Sequence, residues 1–371
     1  RKNLLVMGPD CGTAIVRGVP LGFANVVRRG RIGLVGASGT GLQEVTCQIH
    51  RLGEGVSHAI GAGSHDVRED IGGITMRQGL DLLAADNDTA VIVIVSKPPA
   101  AAVQQKLLSQ AAAIGKPVVV CFLGSAIADV KSPPTLHPVA TLERAAAMAV
   151  SLARGDIERE DQGEDDLATS ATAEARKFAP GQHYIRGLYS GGTFCAEAQI
   201  IWRQAKIAAY SNAPLDDARR LPDGANSREH SALDLGGDEF TVGRPHPMID
   251  CRMRIERLCQ EAADPAVAVI VLDIVLGYGS HEDPAGALAP AIREAKALAA
   301  AGRRHLSVVC FVCGTEEDPQ RLTGQQETLR REGVLLVSSS TAAARLAAAI
   351  ASRIGARSGG EHGHADARWR R

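Results

Sequence analysis

Two runs of small and hydroxylated residues stand where an apolar strand gives way to a helical pattern: Gly36-Ala37-Ser38-Gly39-Thr40-Gly41 and Ser190-Gly191-Gly192-Thr193. Small side chains let a ligand approach the backbone closely. The free N–H groups of a helix start then face an anion with the helix dipole behind them. Ser38 and Thr40 add hydroxyl donors and Glu44, one turn on, adds a carboxylate, so the first run is a candidate both to bind phosphate and to act on it. It lacks the Lys of a P-loop and the spacing of a dinucleotide fingerprint. The same residues also make an ordinary strand-to-helix turn with a Ser or Thr cap.

Further candidates lie in Gly-rich loops. Gly63, Asp66 and Arg68 sit in GAGSHDVRED (61–70), and Asp234, Gly236, Gly237, Arg244 and His246 sit in the stretch 234–246. Such loops after short strands are where open α/β sheets place ligands, so these residues are candidates for substrate binding. An Asp beside Gly suits Mg2+ or a positioned carboxylate, and equally a tight turn capping the next helix. Asp273 interrupts the apolar run VAVIVLDIVLG (267–277). An unpaired carboxylate there costs several kcal/mol, so Asp273 needs a partner or a task. His137, in SPPTLHPVATLE, is an acid/base or nucleophile candidate only if the fold brings it to these loops; otherwise it is a solvated loop His.

The elements that must position these residues alternate. Apolar runs at 4–8, 32–36, 91–96 and 118–124 read as buried strands, with helical patterns after Gly41 and over 76–85 and 101–114. Strands separated by helices imply a parallel sheet covered on both faces. From Arg154 to Arg176 eight acids stand against three bases, which reads as a solvated linker. Beyond it the pattern restarts, with strands expected at 184–189, 231–237, 267–277, 305–314 and 334–340, and a helix over 195–208. Segment 36–45 corresponds to 189–198, 82–96 to 261–275, 116–124 to 304–314, and 141–153 to 341–353. Four matches in one order indicate an internal duplication, with each copy the size of one doubly wound domain. The expected fold is α/β, with two tandem flavodoxin-like parallel-sheet domains at 31–153 and 181–355. An acidic linker over 154–180 joins them, and a Gly-, His- and Arg-rich tail over 356–371 is expected to be disordered.

Composition limits the function classes. In 371 residues, 41 Lys plus Arg face 42 Asp plus Glu, aromatics are 3%, and apolar residues are 45%. A neutral, aromatic-poor chain offers nucleic acid neither a field nor a stacking surface. No apolar run reaches the ~18 residues that would span a bilayer. Cys310 and Cys313 form a CxxC, but three apart in a strand they face opposite ways, and no second pair follows, so no metal site is expected. The scattered cysteines suit a reducing, cytoplasmic setting.

MGPDCGTAI (7–15) resembles the turn that closes the CoA-binding domain of succinyl-CoA synthetase-like proteins. IGLVGASGTGLQEV (32–45) resembles that family's strand, loop and helix start at its phosphohistidine site. The run 36–76 and DIVLGYGSHEDPAG (273–286) are similar to the FdrA group of acyl-CoA synthetase-like proteins. The resemblance implies a CoA-binding domain before Arg1, leaving residues 1–30 as its remnant. It implies CoA and ATP/ADP with Mg2+, supplied through that missing domain or partner subunits, since no ATP-grasp segment is present. The family's His loop is replaced here by GSAIADVKSPPTLHPVA, so no phosphohistidine relay is expected. The FdrA resemblance also implies carbamoyl transfer, as in oxamate carbamoyltransferase. The expected activity is therefore an enzyme subunit in a homo- or hetero-oligomer, handling an acyl or carbamoyl phosphate between two helix N-termini. The alternatives are a nucleotide-dependent acyl-CoA ligase and a non-catalytic sensing or scaffolding subunit.

Overall fold

The computed structural model describes residues 4–7, 11–125, 133–156, 163–222 and 226–365, apart from the side chains of 163–164 and 357–365. The chain divides into two compact units. The first comprises Arg1–Arg159 with Val275–Glu282 and Val312–Gly324; the second comprises Glu160–Ile274, Asp283–Phe311 and Gln325–Arg371.

The first unit carries strands β1 (Thr13–Val16), β2 (Val19–Gly22), β3 (Arg29–Ala37), β4 (Val56–Gly61), β5 (Val91–Ser96), β6 (Val118–Phe122) and β7 (Leu136–Pro138). They lie in the order β2-β1-β4-β3-β5-β6-β7. Strands β3 to β7 pair in parallel, while β1 runs antiparallel to β2 and β4. Its helices are α1 (Gly39–Arg51), α2 (Ile74–Ala85), α3 (Ala101–Ala112) and α4 (Leu142–Arg154). VIVIVS and VVVCF are buried throughout because both faces of the sheet are covered. One face, lined by Val35, Ile92, Ile94, Val118 and Val120, packs on Met76, Leu80, Val103 and Leu107 of α2 and α3. Helix α1 pairs with α4. Buried Asp318 ties the later segments into this unit. Its carboxylate accepts from Asn25 Nδ2 (2.9 Å), Val26 N (2.7 Å) and Thr315 N (2.8 Å), while Asn25 Nδ2 also reaches Leu276 O at 2.9 Å.

The second unit carries α5 (Gly163–Ala175), β8 (Tyr184–Tyr189), α6 (Gly192–Gln204), β9 (Ser231–Asp234), α7 (Asp238–Thr241), α8 (Arg252–Ala263) and β10 (Val267–Val275). It continues with α9 (Pro284–Ala301), β11 (Ser307–Cys313), α10 (Leu322–Arg331), β12 (Leu335–Val337) and α11 (Ser340–Ala365). The sheet order is β12-β11-β10-β8-β9, with β8 parallel to both β9 and β10 and β11 parallel to β12. Helices α5 and α6 pack on α11, and α8 packs on α9.

The two sheets, parallel apart from the β1–β2 edge, agree with the expected α/β architecture. Four local expectations change. Leu4–Met7 is irregular and exposed, with Leu4 68% accessible, and Gly8 lies outside the described residues. An apolar run becomes a strand only where an edge accepts it, and the edge strand β2 contains Pro20, which has no N–H. Residues 13–22, expected as a remnant of another domain, are a hairpin hydrogen-bonded to β4. The expected linker contains α5, whose Ala171, Glu174 and Ala175, with Phe178 beyond its end, are buried at helical spacing while the acids Asp165 and Asp166 face water. Residues 157–162 of that stretch lie outside the described residues. The backbone of α11 remains helical to Ala365, and 366–371 lie outside the described residues.

Candidate functional site

The candidate site is clearest in the second unit. The chain leaves β8 for β9 on one side and then crosses to β10 on the other, so the sheet's switch point lies at the carboxyl ends of β8 and β10. Ser190 follows β8 there and is fully buried. Its N–H donates to Asp273 Oδ1 at 2.8 Å and its hydroxyl donates to Asp273 Oδ2. Asp273, also fully buried, thus has the partner its apolar strand required. Behind it lies Arg254 of α8, 2% exposed, whose Nη2 donates to Asp273 O at 2.5 Å and stands 3.6 Å from Asp273 Oδ1. Arg254 was not legible as a site residue, because RMRIERLCQ reads as a charged, solvated helix face. The demand of Asp273 for a counter-charge was the available signal.

Helix α6 begins immediately after this pair. Its N-cap is Gly191, in extended backbone (φ −151°, ψ 137°), which has no side chain to cap the helix. The next loop crosses close by. A Cβ on Gly236 would stand 2.6 Å from Ser190 O and 2.7 Å from His246 Nε2, so only Gly fits between them. His246 Nδ1 accepts from Met248 N at 3.3 Å, which leaves the proton of the neutral ring on Nε2. Burial lowers the pKa of His246, with Asp273 raising and Arg254 lowering it. Asp234 folds its own turn: its carboxylate accepts from Gly236 N at 3.1 Å, and Asn212 holds its backbone on both sides. Gly237 N closes the turn onto Asp234 O. Arg244 is exposed on the following segment. Within this unit the structure therefore gathers Ser190–Thr193, Gly236, His246 and Asp273, and adds Arg254.

The matching loop of the first unit is built differently. Gly36 and Ala37 end β3, and Ser38 is the N-cap of α1, its Oγ accepting from Gly41 N at 3.0 Å. Ser38 and Thr40 are buried, and Gly39 lies against Thr13, whose Oγ1 would be 3.4 Å from a Cβ there. By strand register Val95 takes the place that Asp273 holds in the second unit. Here the capping reading describes the loop. Glu44 is fully buried within α1 and its Oε1 accepts from Gln48 Nε2 at 2.9 Å. Its counterpart Glu197 accepts from Ser340 Oγ and Thr341 Oγ1 at the start of α11.

Asp66 is a cap rather than an open carboxylate: it accepts from Thr75 N and Met76 N at 2.9 Å and closes the start of α2. Gly63 caps the short 3-10 turn before it, and Arg68 is exposed. His137 lies in β7, in register with Val119 of β6. Three strand steps separate β7 from β3, roughly 14 Å at the usual spacing, so His137 is not brought to the Ser38 loop. In the sequence alone, the two prolines before it make this stretch look like a loop. The CxxC pair does not close on itself: the Cys313 thiol meets Cys47 of α1, while buried Cys310 lies near Arg254 and Asp273. Among the described residues no three His, Cys, Asp or Glu side chains gather as metal ligands, and no helix is long and apolar enough to cross a membrane.

Residues 188–350 match the CoA-ligase family and residues 27–124 match the CoA binding domain. The second match overturns the expectation that the CoA-binding domain precedes Arg1, for it lies within the first unit. The Escherichia coli protein named "Uncharacterized protein YahF" is 48% identical over 341 residues, 92% of this chain; the chain spans 66% of that protein's length. Among solved structures, the acetyl-coenzyme A synthetase 1 of Ca. Korarchaeum cryptofilum, in complex with phosphate and ADP, is 15% identical over 96% of this chain and 72% of its own, with a TM-score of 0.35. A putative sugar binding protein from Salmonella typhimurium scores 0.32 at 10% identity over 87% of this chain and 88% of its own, so scores at this level carry no argument. Along the chain, a segment matching the CoA binding domain is thus followed by one matching the CoA-ligase family.

Proposed function

We propose that the chain is an acyl-CoA synthetase-like enzyme subunit whose second unit receives the phosphoryl group of an acyl or carbamoyl phosphate at the start of α6. The observation that carries this reading is the uncapped α6 start at the β8/β10 switch point, with Ser190 and Asp273 locked beside it. Backbone N–H groups there favour an oxyanion with no side-chain reorganisation. Neutral His246, protonated on Nε2, suits hydrogen-bond donation rather than nucleophilic attack. His137 takes no part, which leaves no phosphohistidine relay through that residue. The carbamoyl form of the substrate rests on the FdrA resemblance alone.

CoA fits the first unit in one respect. Ser96 Oγ, buried in the last residue of β5, has no hydrogen-bond partner among the described residues, and open α/β sheets bind ligands at the strands' carboxyl ends. When bound, CoA would supply the thiol that accepts an acyl group. ATP or ADP with Mg2+ would enter with a partner subunit in a homo- or hetero-oligomer.

The test is exchange of labelled phosphate between acetyl or carbamoyl phosphate and ADP, with Mg2+ and partner subunits present. Exchange that survives His137→Ala and falls at least tenfold in Gly191→Asp, which sets a carboxylate at the α6 start, supports the reading. Acid-labile label on a His contradicts it in favour of a nucleotide-dependent ligase. No exchange with any partner leaves a sensing or scaffolding subunit.

A further inference from the structure

Three polar groups of the second unit converge out of solvent: Ser190 and Asp273 are fully buried and Arg254 is 2% exposed, with half-buried His246 lying beside them across Gly236. A capping or turn role accounts for none of the Asp273–Arg254 arrangement. Asp273 spends both oxygens on the two polar hydrogens of one residue, Ser190, which precedes the helix start. Arg254 spends Nη2 on the carbonyls of Asp273 and Leu188, and stands too far from the carboxylate for a hydrogen bond. Arg254 Nε has no partner among the described residues. A pair selected only for stability would be replaced without loss by apolar residues of the same volume, as often happens with buried ion pairs. A full negative and a full positive charge, kept apart behind a helix start, instead set the potential that an anion meets there.

We propose that Asp273 and Arg254 are a positioning and charge-balancing pair for the α6 site. Asp273 fixes Ser190 in the conformation that leaves the α6 amides uncapped. Its negative charge opposes the helix dipole, and Arg254 restores enough positive potential for a phosphoryl group to bind and still leave. The proposal rests on the reading of α6 as the phosphoryl site. It adds that the affinity of that site is held at an intermediate value by two opposed buried charges, neither of which touches the ligand.

The two charges make opposite predictions, which a merely structural role does not. Inorganic phosphate binding to the full 371-residue chain is measured by calorimetry at low ionic strength. Asp273→Asn should bind phosphate roughly tenfold tighter and Arg254→Met roughly tenfold more weakly than the parent, the scale expected of one unit charge at this depth. The double variant should return to within about threefold of the parent. With acyl phosphate as substrate, Asp273→Asn should lower KM and kcat together, because binding improves while Ser190 loses its fixed geometry. Shifts of the same sign in both single variants, or no shift, overturn the pair assignment while leaving the α6 site standing. Failure of the parent to bind phosphate overturns both. Because a single variant can fail to fold, the parent protein carries its own test. The Ser190 amide should be among its slowest-exchanging amides outside the strands, and rapid exchange there overturns the assignment.

Discussion

The two units place the same strand-loop-helix device at equivalent points and hold it in different ways. In the first, Ser38 turns its hydroxyl back onto Gly41 N, apolar Val95 lies alongside, and Thr13 lies against Gly39. In the second, Gly191 provides no cap, and the hydroxyl one residue earlier, on Ser190, turns down into the sheet to Asp273. A one-residue shift of the hydroxyl converts a helix start with a side-chain cap into one whose N-cap residue offers none. The matched sequence segments mark where the device sits. On the proposed reading, the residue beneath it, Val95 or Asp273, sets whether the device only caps a helix or also takes a ligand.

The largest effect expected from this contrast is on stability. Asp273→Ala leaves Arg254 charged and buried and deprives Ser190 of both acceptors, a loss of about 3–5 kcal/mol. Denaturant unfolding should show it, together with loss of the second unit's cooperative transition. Val95→Ala at the matching position removes only apolar volume and should cost about 1–3 kcal/mol.

Next comes the exchange of caps. Ser38→Ala removes the α1 cap and should cost about 1 kcal/mol with phosphate binding unchanged. Gly191→Ser installs the missing cap on α6. It should stabilise the second unit by a few tenths to about 1 kcal/mol while weakening phosphate binding several-fold, since one amide is now occupied. A Gly191→Ser variant that is more stable and binds phosphate as well as the parent would break the comparison.

Acid should separate the units as well. His230 of the second unit is half-buried near Arg186, and its burial first, then that guanidinium and His183, lower its pKa to about 4. The unfolded chain takes up this proton near pH 6.5 and the folded chain only near 4. The stabilisation is therefore complete above pH 6.5 and declines as pH falls through that window. Hydrogen exchange at pH 7 and pH 5 should show protection falling around Ile185, whose N–H donates to His230 Nδ1, and His230→Asn should flatten the change. Glu174 resists longer. Burial alone would raise it, but His305, Lys177 and Ser307 donate to it and bring it to about 2, so α5 should stay attached to β11 until pH falls well below 4.

The smallest effect belongs to His137. Its place in β7, three strands from β3, predicts exchange activity within about twofold of the parent in His137→Ala.

The sequence made much of this legible, for identifiable reasons. Continuous apolar runs such as VIVIVS have one stable place, the middle of a covered parallel sheet, so β5, β6, β8, β10 and β11 were readable from composition. The charge of Asp273 in such a run announced a partner without naming it. Arg254 stayed hidden because its helix is rich in charge and only the fold tells which side faces inward. Helix α5 stayed hidden because its acids outnumber the few alanines that bury it. Strands β1, β2 and β7 are three or four residues long, two of them containing Pro, and owe their pairing to the sheet rather than to their own pattern.

The central claim is that the α6 start, and not the α1 start, receives a phosphoryl group. Titrating the full chain with inorganic phosphate while following amide resonances tests it most directly. The account predicts a saturable shift of the Gly192 amide, with Gly41 unmoved because Ser38 Oγ already occupies it. A shift at Gly41 with none at Gly192, or no saturable shift at either, would contradict it.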